Sequence, residues 1–237
     1  MDVTRGDQTF YSNTVASFSC NTPGYNTFID AVGKRIISAT LNGTPVDVAN
    51  YDGETVFITN LAAENELIIE MEAQYSKTGE GLQRSVDPVD SEVYLYSQGE
   101  TAHNRKMYAR FDQPNLKAVF TFNVVAPSHW EVISNSPVDT KSNLEQEKTL
   151  WVFLPTPSIP TYITVIIAGP YYQIHDQYVG EKVVPLGIYC RNSISQFVDA
   201  ENIFLATKQG FAYFERVFGL AYPFEKYDQI AVVDYNW

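Results

Sequence analysis

Short strand-like runs arrive every ten or so residues through much of this chain, separated by turn residues, and that pattern favours strands over helices. Asn21-Thr22-Pro23-Gly24, Asn42-Gly43, Asp52-Gly53, Asp87-Pro88 and Asn135-Ser136-Pro137 each interrupt a short apolar run. Glycine admits positive φ, proline presets φ, and Asn or Asp side chains bond their own backbone, so these clusters turn the chain. Between them the hydrophobic period is two. Thr9 to Cys20 offers Phe10, Val15 and Phe18 for a buried face. Glu66 to Tyr75 alternates through Leu67, Ile69, Met71 and Ala73. Further strands are predicted over Tyr25 to Val32, Lys34 to Leu41, Pro45 to Val48, Thr55 to Thr59, Val93 to Tyr96, Leu116 to Ala126 and Trp130 to Ser134. Val138 to Leu144 and Lys148 to Leu154 pair through Glu145-Gln146-Glu147. The expectation is a mainly β chain, an antiparallel sheet or sandwich.

Three stretches read differently. Ser76 to Asp90 (SKTGEGLQRSVDPVD) is rich in turn residues and is expected as a long loop crossing between sheets. Its glycines make no phosphate loop, because no Gly-Lys-Ser/Thr follows. Pro155, Pro157 and Pro160 form an extended connector. Thr161 to Ala168 (TYITVIIA) is a nearly continuous β-branched run, expected in a sheet interior.

The texture changes after Val179-Gly180-Glu181-Lys182, the best candidate for a domain boundary. Val183 to Tyr189 reads as a strand. Ile203, Thr207, Gly210, Phe214 and Val217 then recur at helical spacing, with Phe204, Phe211 and Phe218 beside them. Asp199 suits an N-cap and Gly219 a C-terminal stop, which predicts an amphipathic helix of about five turns with its aromatic stripe in a core. Ile230 to Val233 is a further strand.

Composition excludes some function classes. A net charge of -12 argues against binding a phosphate backbone, which needs a basic face. The two cysteines, Cys20 and Cys190, lie far apart, which suggests unpaired thiols in a reducing compartment. No apolar run reaches the roughly 20 residues that span a bilayer. MDVTRGDQTF lacks the basic-then-apolar pattern of a signal peptide. A cytoplasmic location is the simplest expectation, with neither membrane nor nucleic acid as a partner.

The chain shows no independent catalytic centre on motifs alone. His103, His129 and His175 fall in separate segments, there is no H-E-x-x-H helix, and no G-x-S-x-G elbow occurs. The densest polar chemistry lies in YLYSQGETAHNRKMYARFDQ, where Gln98 and Glu100 follow an apolar run and precede Arg105 and Lys106. A carboxylate at a strand end can fix a cationic group while a neighbouring amide orients it. The same carboxylate can equally pair with Arg105 or Lys106, or cap a helical turn starting near Thr101.

Tyr75-Ser76-x-Thr78-Gly79-Glu80-Gly81-Leu82-x-Arg84, Val86-Asp87-Pro88-Val89-Asp90, YLYSQGE, ARFDQPNLKAVFTF and Tyr222-Pro223-Phe224-x-Lys226-Tyr227-Asp228-Gln229 resemble the aminopeptidase N family, closest to its actinobacterial type. These are zinc-dependent, thermolysin-like metalloaminopeptidases, and the likeness runs through essentially the whole chain. It implies a saddle-shaped antiparallel β domain over residues 1–180. The truncated start of an α+β thermolysin-like catalytic domain, strand-helix-strand, would follow over 181–237. A T-Q-x-E element in this family helps bind the free α-amino group of the substrate. It reads Ser97-Gln98-Gly99-Glu100 here, so Gln98 and Glu100 inherit the substrate-binding role. Ser97 stands for the commoner threonine, and Gly99 for a usually larger residue, a change expected to loosen the strand end.

The family's G-x-M-x-N motif and H-E-x-x-H zinc helix would come after the strand at Gln229 to Asn236, beyond Trp237. The resemblance therefore implies that this segment carries no catalytic or metal residue and is inactive alone. Zinc, the peptide N-terminus and the remainder of the catalytic domain would be the cofactor and partners of the full enzyme. A non-catalytic β-sheet interaction module is the competing reading, and the coding sequence beyond Trp237 separates the two.

Overall fold

In the computed structural model, which describes residues 1–233 and residue 235, backbone ladders account for most of the order. The strands are β1 (Thr9–Ser19), β2 (Thr27–Asp30), β3 (Arg35–Leu41), β4 (Thr44–Pro45), β5 (Thr55–Ile58) and β6 (Glu64–Gln74). They continue with β7 (Gly81–Val86), β8 (Val93–Gln98), β9 (Asn123–Pro127), β10 (Glu131–Ser134), β11 (Val138–Leu144) and β12 (Lys148–Phe153). The last four are β13 (Ile166–Gly169), β14 (Tyr172–Val179), β15 (Val183–Cys190) and β16 (Tyr227–Ala231), and helix α1 covers Ala200–Phe218. The mainly β class expected from turn spacing is observed.

Period-two patterning explains the ladders. β6 buries Asn65, Leu67, Ile69, Met71 and Ala73 and turns Glu64, Glu66 and Gln74 outward, and it pairs with β1 over eleven consecutive residues. The sheets run β1-β6-β3-β4, β10-β13-β8-β7, β11-β12-β9, β14-β15-β16 and β2-β5. Within β1, Phe10 is buried but Val15 is 59% exposed, contrary to expectation, because it has the opposite parity. Cys20 and Cys190 are free, as expected.

The sequence misleads in three places. Residues 81–86 are a strand rather than loop, in register with β8 from Gly81↔Gln98 to Val86↔Val93. Their side chains hide it. Gln83 is buried although polar, because its Oε1 accepts the Gly79 amide at 2.9 Å. Residues 116–122 form no continuous strand. The bridge Ala118↔Ile159 and the bonds between Phe120 and Thr156 join them to the proline-rich segment, whose three prolines donate no ladder bonds. Phe120 and Phe122 stack with centroids 6.1 Å apart and present edges to Tyr108. Thr161–Ile163 is a 3-10 turn, so only Ile166–Gly169 of that β-branched run reaches the sheet, where it lies between β10 and β8.

Helix α1 has the expected caps. Asp199 accepts the Asn202 amide, and Gly219 closes the helix at φ 62°. Its aromatic stripe does not lie wholly in a core. Phe204 is buried and Ile203 and Phe211 pack beside it, but Tyr213, Phe214, Val217 and Phe218 are exposed. α1 crosses from β15 to β16, which pair in parallel from Leu186↔Tyr227 to Cys190↔Ala231. The Val179–Lys182 stretch is the turn of the β14–β15 hairpin. Asp234 and Asn236, within the strand expected over Gln229 to Asn236, lie outside the described residues, as does Trp237.

Ile69, 1% exposed, is central to the larger core. Ile69→Ala should cost about 2–5 kcal/mol in urea unfolding of the chain. A loss below about 1 kcal/mol would contradict this packing.

Candidate functional site

The sheet β10-β13-β8-β7 is covered on both faces. Leu82, Leu95, Val132, Ile166 and Ala168 belong to the main core. Tyr94, Tyr96, Ile133 and Ile167, from the alternate positions, join Tyr171, Tyr189 and Ile230 in a second cluster. The second face thus packs on the β14–β16 unit. Gln98 has the parity of Tyr94 and Tyr96, and both of those bond to the partner unit. The Tyr94 hydroxyl accepts the Asn192 amide at 3.1 Å, and the Tyr96 hydroxyl donates to the Val233 carbonyl. Tyr171 in turn donates to the Leu95 carbonyl at 3.2 Å.

β8 stops at Gln98 and the chain enters a short loop. Gln98 is buried, and Glu100 is exposed two residues beyond it. Glu100 pairs with neither candidate base. Lys106 bonds to Glu80, which also has His103 Nδ1 at 3.7 Å, and Arg105 faces Asp30 at 3.8 Å. Among the described residues Glu100 has no ion pair, and the turn His103–Lys106 has no side-chain cap. The pairing and capping alternatives for Glu100 are therefore not what the structure shows. His129 and His175 lie elsewhere, beside Glu92 at 3.9 Å and Gln173 at 3.1 Å.

The loop is held from beneath by a residue that sequence reasoning passed over. Asn104 is fully buried, and its Nδ2 donates to the Thr161 carbonyl at 3.0 Å, the Thr164 carbonyl at 2.9 Å and Thr164 Oγ1 at 2.8 Å. Tyr108 shares a 2.7 Å bond with the same hydroxyl, and burial pushes its phenol up to about 12. Ser97 Oγ accepts the Ile166 amide at 2.9 Å, tying β8 to β13 at the point where the loop after Gln98 begins. The Arg105 to Asp112 segment continues this scaffold. The Arg110 and Asp30 backbones exchange bonds of 2.8 and 2.9 Å, and Arg110 pairs with Asp112 at 2.5 Å.

Gly99 does not loosen the strand end. A Cβ there would collide with the Asn104 amide and the Tyr162 carbonyl, so the missing side chain lets the loop close onto its support. A cavity of about 1240 Å³ between β1 and residues 116–123 includes neither Gln98 nor Glu100. Among the described residues no three or more His, Cys, Asp or Glu side chains group to hold a metal.

A sequence profile for the Peptidase M1 N-terminal domain matches residues 1–163. The chain belongs to this family. It is similar to the aminopeptidase N of Streptomyces lividans, 43% identical over 231 residues, which cover 96% of this chain and 26% of that protein. That is the actinobacterial aminopeptidase N likeness read from the motifs. Similarity extends to a glutamyl aminopeptidase of Bitis rhinoceros, 31% identical over 58% of this chain and 14% of that protein. An aminopeptidase N of Acetobacter pasteurianus is 24% identical over 89% of this chain and 61% of that protein. The chain thus spans about a quarter of the length of the Streptomyces relative.

Two outcomes test this geometry. Gly99→Ala should destabilise the chain by about 1–3 kcal/mol, read by urea unfolding, because backbone and the Asn104 amide must move; an unchanged midpoint would contradict the close approach. Asp87 is held below the usual carboxylate range, first by the Ser193 hydroxyl, then by the Val89 amide and Arg191. A depressed folded value stabilises above the unfolded value of about 3.9 and stops doing so as pH falls through the folded one. The melting-temperature gap between wild type and Asp87→Asn should be wide at neutral pH and shrink in acid. A gap that stays constant would contradict it.

Proposed function

We propose that this chain forms the N-terminal β domain, and the opening of the catalytic domain, of a zinc aminopeptidase that removes N-terminal amino acids from peptides. Gln98 and Glu100 receive the free α-amino group of the substrate. The observation that carries this is the state of Glu100, an exposed carboxylate at a rigid strand end whose neighbouring bases are both claimed by other acids. A carboxylate without a local cation is free to bond a substrate ammonium. Charge-assisted bonds of this kind are the strong ones. An amine receiver at fixed distance from the cleaving groups also sets the cut at one residue.

The parity of Gln98 with Tyr94 and Tyr96 supports a site at the seam with the second unit. A division into residues 1–180 and 181–237 belongs to the same reading, with the β14–β15 hairpin bridging it. The exposed stripe of α1, with Phe214, Val217 and Phe218, suits packing by the remainder of the catalytic domain. The apolar stripe of α1 continues past the part that packs on β14–β16, and an apolar stripe faces a core. Among the described residues no side chains group to hold zinc, so the zinc belongs to that remainder. The chain alone is expected to be inactive, and a cytoplasmic location is part of the proposal. No described helix is long and apolar enough to cross a membrane.

In the enzyme expressed from the full reading frame, Glu100→Gln should raise KM for an aminoacyl substrate at least ~10-fold, the scale of one hydrogen bond to a charged group. The melting temperature should hold. Unchanged kinetics would remove Glu100 from the site, and chelator-sensitive hydrolysis by the 237-residue chain would overturn the division of labour.

A further inference from the structure

The β7–β8 hairpin carries Gln98 at one end and a second, unassigned cluster at the other. Asp87 follows Val86 directly, and its side chain has no exposed surface. It accepts Arg191 Nη1 at 2.6 Å, Ser193 Oγ at 2.5 Å and the Val89 amide at 2.8 Å. Two of these donors come from across the seam. Arg191 follows Cys190, the last residue of β15, and Ser193 lies in the 3-10 turn Asn192–Phe197 that leads to α1. Asn192, between them, donates its amide to the Tyr94 hydroxyl, which donates to Asp90 Oδ2 at 2.8 Å.

The two kinds of contact across this seam do different physical work. The tyrosine cluster contributes mostly apolar burial, which is non-directional, with the Tyr94 and Tyr96 hydroxyl bonds along it. A carboxylate sealed from water tolerates no sliding, because a lost donor leaves a buried charge uncompensated. The ion pair therefore adds the least forgiving constraint on where β8 stands against β15. β7 and β8 pair residue for residue without a bulge, so that constraint is transmitted along about 17 Å of hairpin, five steps at ~3.4 Å each, to Gln98.

We propose that Asp87, Arg191 and Ser193 are positioning residues for the α-amine anchor: they index β8 against the β14–β16 unit and so fix where Glu100 stands at the seam with it. This rests on the reading that Glu100 receives the substrate amine.

The test uses the enzyme from the full reading frame, with an aminoacyl arylamide as substrate and acetohydroxamate as an inhibitor that lacks the α-amine. Asp87→Asn should raise KM ~10-fold while kcat stays within about twofold, the signature of lost substrate positioning rather than lost chemistry. The acetohydroxamate inhibition constant should not move. In a Glu100→Gln background, adding Asp87→Asn should leave KM where it is, since coupled residues are non-additive.

An unmoved KM in folded Asp87→Asn overturns the proposal, as does a rise of the same factor in the Glu100→Gln background. If Asp87→Asn does not fold, Ser193→Ala removes one bond and should raise KM ~2–3-fold with the same non-additivity; a silent Ser193→Ala overturns the proposal. The two layers fail differently. A silent Glu100→Gln sinks the anchor and the latch together, whereas an effective Glu100→Gln beside a silent Asp87→Asn sinks the latch alone.

Discussion

Burial of the β10-β13-β8-β7 sheet on both faces governs the rest of this molecule. Five of the six residues of β8 are buried, with Leu95 in one cluster and Tyr94 and Tyr96 in the other. A strand between two cores cannot shift without disturbing both, since interiors at crystal-like packing density have no slack to absorb it. The polar loop after Gln98 inherits that rigidity. Loops elsewhere gain function through mobility, whereas this one is bolted down by Asn104, Gly99 and the Thr161–Thr164 turn.

Electrostatics at the end of β8 follow from how the local bases are shared out. Glu80 engages Lys106 and Asp30 lies opposite Arg105, so the positive charge beside Glu100 is already neutralised. Had Glu100 been the partner of Lys106, any incoming cation would have to displace an existing ion pair. In the arrangement observed, Glu100 holds none among the described residues. The seam obeys the opposite logic. There the carboxylate of Asp87 is fully enclosed and its two side-chain donors come from more than a hundred residues away in sequence.

Local chemistry was enough to read part of this structure. β6 and the β11–β12 hairpin announce themselves by alternation and turn residues, and α1 by its period and by Asp199 and Gly219 at its ends. β7 was not legible, because the pairing that makes GLQRSV a strand resides in β8 and its buried Gln83 looks like a loop residue. Residues 116–122 failed the other way. Their apolar run promised a ladder that a proline-rich neighbour does not complete. The outward stripe of α1 was misread as core, since spacing reports that a face is apolar and not what covers it.

For the site, Gln98 and Glu100 emerged from chemistry only as candidates, and the family motif gave them roles. Asn104 carried no local signal, and Asp87 signalled only a turn before Pro88 and a family motif, not its distant partners. Their partners lie 57 to 106 residues distant, and only folding brings them together.

Native-state hydrogen exchange across β8 probes the central claim, that this strand is locked between two cores, more directly than any activity assay. Its ladder amides should exchange only with global unfolding, at the same free energy as those of β6. Exchange of β8 amides through a cheaper, partial opening, while β6 stays protected, would contradict the account.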